Sequence, residues 1–236
     1  MRGVPSHPGP HRRVGAVGSL TRSAWVPDRS GPCTSVLLLR HGQTSLSAAK
    51  RYSGVTDVPL TSTGLRQAAA AAARLAGTVD VVVTSPLVRA VQTASAVAVM
   101  CPGAPVIEEP GFRETDFGSW EGCTFAEVQQ RFPDDLTAWL GSPSVAPPGG
   151  ESFVAVAARV LAALGSVLSS YPGRRVLVVS HVTPVKALVA SALEAPLLAM
   201  YRMHLDLAAL TGIDYYADGP AVLRCFNDTA HLSTVT

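Results

Sequence analysis

From Thr34 onward, short apolar runs alternate with longer stretches of helical spacing, and this alternation predicts most of the elements. Residues 36–39 and the β-branched run 79–83 read as strands. Between them, Thr61-Ser62-Thr63-Gly64 precedes the alanine-rich stretch 65–75, a helix with Thr61 or Thr63 as its cap. Pro86 suits the first turn of a helix from Leu87 to about Met100, capped by Ser85. Residues 105–107 form a short strand candidate, followed by helix candidates near 124–131 and 133–140 and a Pro/Gly linker at 142–150. Residues 153–169 read as a long apolar helix, 176–180 as a strand and 184–193 as a helix. Residues 207–216 and 221–226 close the chain as a hairpin around Ala217-Asp218-Gly219-Pro220. The order predicts an α/β three-layer sandwich: a mostly parallel central sheet with helices on both faces.

Residues 1–32 break the pattern. They are rich in Pro, Gly, Ser and Arg without periodicity, and are expected to form a disordered leader ahead of one domain at 33–236. With 47% apolar and 15% charged residues, most of the chain falls outside the disordered and fibrous classes. The net charge of +2 hides a split, because residues 1–31 hold five arginines against Asp28, a balance of +4 that leaves −2 for the rest. Nucleic-acid binding by the folded part therefore has no electrostatic support. Cys33, Cys101, Cys123 and Cys225 are far apart, contain no CxxC pair, and read as reduced thiols. No stretch approaches the roughly 20 apolar residues needed to span a bilayer, so no membrane partner is expected. The pair Arg12-Arg13 precedes a segment too short and glycine-rich for an export signal, and a cytoplasmic location is the expectation.

The chemistry-bearing residues sit at strand ends, where ligand crevices form in α/β sheets. Leu39-Arg40-His41-Gly42-Gln43-Thr44 follows the first strand, and His181 follows the strand at 176–180. Attack on a phosphomonoester needs cations for about two negative charges, an in-line nucleophile, and an acid for the departing alkoxide. Arginine supplies bidentate bonds to phosphate oxygens, and a neutral imidazole supplies a lone pair at pH 7. Arg40 and Arg89 are the cations, Arg89 near a helix amino terminus whose dipole also attracts anions. His41 and His181 are the imidazoles, while Glu114, Asp116 and Glu121 all remain open as the acid.

Taken in order, Leu39–Thr44, Ser85-Pro86-Leu87-Val88-Arg89-Ala90-Val91-Gln92-Thr93-Ala94, Glu114-Thr115-Asp116-Phe117-Gly118-Ser119-Trp120-Glu121-Gly122 and Val179-Ser180-His181 resemble the histidine phosphatase superfamily, phosphoglycerate mutase-like branch. The likeness covers about residues 34–231. It implies His41 as the nucleophile that becomes phosphohistidine, with Arg40, Arg89 and His181 on the phosphoryl oxygens and Glu114 as the proton donor. Gln43, Thr44, Ser47, Ser53, Gly54, Val182 and Thr183 match positions lining the family's substrate pocket. No metal or organic cofactor is implied. Ser47 stands where asparagine is frequent, Leu46 where tryptophan is, and Val182-Thr183-Pro184 where Gly-Gly is common; these departures bear on the substrate.

A phosphomonoester hydrolase acting on a small-molecule phosphate ester is therefore expected, with homodimerisation left open. A mutase of the same mechanism is the alternative, disfavoured because only Arg131 and Arg159 are basic between Glu121 and Arg174. A silent binding module is a third reading, opposed by the complete set of chemical groups. The stretches 180–188 and 201–208 are similar to the phosphatase half of bacterial ribonuclease H fusion proteins. That similarity implies α-ribazole 5′-phosphate or broad acid phosphatase activity, with the phosphatase half alone expected here.

Overall fold

In the computed structural model, residues 33–233 and 235 are described; the predicted leader lies outside them. The elements run β1 (Cys33–Arg40), α1 (Ser45–Ala48), α2 (Ser62–Leu75), β2 (Val81–Thr84), α3 (Val88–Met100) and β3 (Val106–Glu108). They continue with α4 (Phe125–Arg131), α5 (Pro133–Gly141), α6 (Phe153–Ser170), β4 (Arg175–Ser180), α7 (Val182–Ala192), β5 (Leu210–Tyr216) and β6 (Ala221–Asp228). The six strands form one sheet in the order β3-β2-β4-β1-β5-β6. The first four are parallel, and the β5–β6 hairpin adds an antiparallel edge.

Side chains alternate across a strand, so β1 and β4 serve two cores. On one face Val36, Leu38, Val176 and Val178 pack against Val156, Val160 and Leu164 of α6 and Leu188 of α7. On the other, Leu39, Leu177 and Val179 meet the alanine-lined faces of α2 and α3, through Ala71, Ala72, Ala90 and Ala94. Both faces are thus covered, as the alternation of elements predicts. A third cluster beyond the strand ends joins Phe117, Trp120, Trp139, Phe153 and Met200.

Several local expectations change. Thr61 caps α2, its hydroxyl accepting from the Gly64 N–H at 3.1 Å. Ser85 does not cap α3: the helix starts at Val88, whose N–H donates to Asp57 Oδ1 at 2.8 Å. The amino end of α3 is therefore met by a carboxylate of the chain itself. Helix α7 begins two residues before Pro184, which then falls in the first turn where a missing N–H costs nothing. The expectation of no long apolar stretch is also corrected. Helix α6 has 18 residues with mean hydropathy 1.8, enough by length and composition to cross a membrane. Here it buries Phe153, Val156, Ala157, Val160, Ala163, Leu164 and Val167 within the fold.

Candidate active site

Parallel pairing of β1 with β4 sets Arg40 opposite Ser180, so the next residue on each chain, His41 and His181, emerges into one crevice. The His41 N–H donates to the Ser180 carbonyl at 3.0 Å, and the imidazole centroids lie 5.0 Å apart, tilted by 58°. His41 Nδ1 lies 2.7 Å from the Gly42 carbonyl oxygen. A carbonyl only accepts, so Nδ1 carries the proton and Nε2 keeps its lone pair. Burial, then the charges of Arg40 and Arg89, hold the His41 pKa well below its ordinary value. The ring is therefore neutral at pH 7. His181 is lowered in the same direction, again by burial first; its Nε2 lies 2.7 Å from Ser85 Oγ and its Nδ1 is buried without a partner.

Glycine is required at the turn that aims His41. A Cβ at Gly42 would meet the Gly64 carbonyl oxygen at 2.5 Å, and one at Gly64 would meet the Gln43 carbonyl oxygen at 2.1 Å. Backbone rests on backbone where the strand end docks on the start of α2. The Gly42 N–H also donates to Thr93 Oγ1 on α3 at 3.2 Å.

Two guanidinium groups converge here. Arg40 Nη1 donates to the Leu205 carbonyl at 2.6 Å, its Nε is buried unpaired, and burial lowers its pKa to about 10. It stays protonated at pH 7. Arg89 is fully buried and donates to the carbonyls of Ser53, Gly54 and Thr56, leaving its Nε without a partner. Both guanidinium charges are met chiefly by neutral carbonyls, a costly arrangement that an incoming anion would offset.

The three candidate acids separate by their partners. Glu121 accepts from the N–H groups of Gly54, Val55 and Phe117 and from the Thr56 hydroxyl, so it ties the loop that holds Arg89. Asp116 accepts from the Gly118 N–H within its own turn. Glu114 alone of the three lines the cavity. Its carboxyl accepts from the N–H groups of Thr115 at 2.8 Å and Val182 at 3.0 Å, with Thr183 at 3.3 Å. Arg159 of α6 fixes the backbone beneath it, donating to the carbonyls of Gly111, Arg113 and Glu114 while paired with Glu151.

A cavity of about 450 Å³ opens over these groups. Of the residues expected from the sequence, Arg40, His41, Thr44, Ser47, Ser53, Glu114, Val182 and Thr183 line it. Gln43 and Gly54, expected as pocket residues, do not line the cavity. The Gln43 side chain bonds Thr61, and Gly54 lies between Glu121 and Arg89. Val182 and Thr183 face the cavity, but their N–H groups hold Glu114. Arg89 and His181 lie behind the wall and act on it electrostatically through His41. Sequence reasoning missed Arg159, the Ser85–His181 bond, Lys186, and the role of Tyr201 beside Trp139. Among the described residues, no group of three His, Cys, Asp or Glu side chains is placed to hold a metal ion.

A family model described as the histidine phosphatase superfamily (branch 1) matches residues 36–228. A protein of Mycobacterium tuberculosis named as bifunctional is 46% identical over 222 residues, which are 93% of this chain and 60% of that protein. The chain thus spans three fifths of that relative's length. A protein of Proteus mirabilis named as a probable phosphoglycerate mutase is 34% identical over 211 residues, covering 85% of this chain and 95% of its own. The solved α-ribazole phosphatase of Shigella flexneri superposes with a TM-score of 0.73 at 30% identity, covering 83% of this chain and 96% of that one.

Proposed function

Because the chain belongs to the histidine phosphatase superfamily (branch 1), we propose that it hydrolyses phosphomonoesters through a phosphohistidine at His41. One observation carries this reading. The bond from Nδ1 to the Gly42 carbonyl leaves His41 Nε2 as a neutral nucleophile beside Arg40 and Glu114.

In the first step Nε2 attacks phosphorus and the bond to the ester oxygen breaks. Arg40 binds the phosphoryl oxygens directly, and Arg89 and His181, beside His41, support the site from behind its wall. Glu114, in its protonated form, gives its proton to the departing alkoxide. Water then attacks phosphorus, the P–N bond breaks, and the Glu114 carboxylate takes the proton that water loses. Inorganic phosphate leaves and His41 returns to its neutral form. No step requires a metal, since two guanidinium groups supply the positive charge.

Hydrolysis is favoured over isomerisation by where the two basic residues between Glu121 and Arg174 point. A mutase grips a second phosphate and keeps the intermediate from water. Arg131 is turned to Cys123 Sγ and Arg159 to the loop carrying Glu114, so neither reaches the cavity. A small phosphorylated metabolite is the proposed substrate, and the phosphate ester of α-ribazole is one candidate. A cytoplasmic location and a lack of nucleic-acid and membrane partners complete the proposal.

The test is release of inorganic phosphate from p-nitrophenyl phosphate between pH 4 and 8 by wild type and His41→Ala. Turnover by the wild type and its loss in the variant are expected. Wild-type silence would favour a binding module, unless 3-phosphoglycerate, which carries a second hydroxyl, is isomerised without free phosphate; that result would favour the mutase.

A further inference from the structure

The cavity is larger than a phosphoryl group needs, and its remainder has a definite chemistry. Its outer wall is made by Tyr52, Phe117, Trp139, Phe153 and Tyr201. Neighbouring rings contact one another, Tyr52 with Phe117 at 4.8 Å and Trp139 with Phe153 and Tyr201 each at 5.1 Å. Lys186 also lines the cavity. It lies on α7 at four residues from Val182 and three from Thr183, the same helix face one turn further along.

That placement relates Lys186 to the reaction. Glu114 must stand at the ester oxygen to protonate it, and its carboxyl is held by the N–H groups of Val182 and Thr183. The alcohol half of a substrate therefore extends into the rest of the cavity, which Lys186 and the rings line. Lys186 is partly buried and makes no hydrogen bond or ion pair to any described residue; Glu114 and Arg40 are the charges that act on it. Among the residues lining the cavity, Glu114 is the single acid facing Arg40, Lys50, Arg51 and Lys186. Arg51 is already paired with Glu127, and Lys50 is exposed. The Lys186 ammonium thus enters a cavity that aromatic rings also line, without a paired carboxylate, and a ligand can supply that counter-charge.

We propose that Lys186 determines specificity by binding a carboxylate on the alcohol half of the ester, so the preferred substrates are phosphomonoesters of carboxylated alcohols with an apolar or aromatic body. This rests on the hydrolase reading and narrows it. It ranks such esters above neutral alcohols of the same size.

The experiment compares kcat/KM for 3-carboxyphenyl phosphate and phenyl phosphate, two aryl esters that differ by the carboxylate. The wild type should prefer the carboxylated ester by about tenfold, the scale of one charge-assisted hydrogen bond. In Lys186→Met, and in Lys186→Gln as a second neutral variant, the ratio should fall to within about twofold of one, while Lys186→Arg keeps most of it. Turnover of phenyl phosphate by the wild type without preference for the carboxylate would overturn the assignment and leave the hydrolase reading standing. A preference that survives in both neutral variants would overturn it too. So would an equal loss on both esters, which would make Lys186 a partner of Glu114 instead. Wild-type inactivity on both esters would remove the hydrolase reading and this inference with it.

Discussion

What His41 can do is decided by a single carbonyl, that of Gly42. By accepting the hydrogen bond from Nδ1–H it leaves Nε2 free, and burial, then the neighbouring arginines, keep the ring neutral where a free imidazole begins to charge. Glu114 has the complementary role, and its substitution separates acid catalysis from binding. In Glu114→Gln, turnover of alkyl phosphates should fall at least about tenfold more than that of p-nitrophenyl phosphate, because a poor leaving group needs the proton. Equal losses in kcat on both would remove Glu114 from the acid role. At this scale the sequence was legible where chemistry is local. Arg40, His41 and Gly42 are consecutive, and their place at a strand end follows from the apolar run before them. Ser85 was misread as a helix cap because its true partner, His181, lies 96 residues away. Lys186 carried no signal in the sequence, since a lysine on a helix is ordinarily solvated and its cavity is assembled from distant segments.

Among the elements, the site depends on how three helices meet strand ends. Helix α7 presents its first N–H groups to Glu114, α6 holds the same loop through Arg159, and α2 packs its first turn against the backbone after β1. The last contact gives a stability test. Gly64→Ala places a Cβ 2.1 Å from the Gln43 carbonyl oxygen, so the backbones must separate. Unfolding free energy from urea titration should fall by about 1–3 kcal/mol, with turnover reduced as His41 shifts. An unchanged midpoint would show that the contact is not tight. Strands β1, β2 and β4 and helices α2 and α6 were readable from their apolar periodicity. The start of α3 was not, because its capping carboxylate, Asp57, comes from a loop 31 residues earlier. Helix α1 has four residues, none of them buried, so no apolar stripe announces it.

Across the whole molecule, buried neutral histidines link folding to pH. His41 and His181 resist protonation in the folded state, whereas an unfolded imidazole charges near pH 6.5. As pH falls below about 6.5, the unfolded chain takes up protons that the folded one refuses, so stability is lost towards acid. The loss can reach about 2.7 kcal/mol per pH unit for two such groups. Thermal unfolding should therefore drop steadily from pH 7 to pH 5, and added inorganic phosphate should restore part of it by supplying the missing counter-charge. A flat profile over that range would mean the two rings are not held neutral. The architecture itself, a covered parallel sheet with an antiparallel edge, followed from the alternation of elements. The convergence of His41 and His181 did not, since it depends on β4 pairing beside β1. The most direct test is to mix the protein with p-nitrophenyl phosphate, whose leaving group needs no proton, quench it at alkaline pH, and map the phosphoryl group by mass spectrometry of its peptides. An acid-labile phosphoryl group on the His41 imidazole is expected in the wild type, accumulating in Glu114→Gln and absent from His41→Ala. A phosphoryl group on any other residue, or full turnover by His41→Ala, would contradict the mechanism.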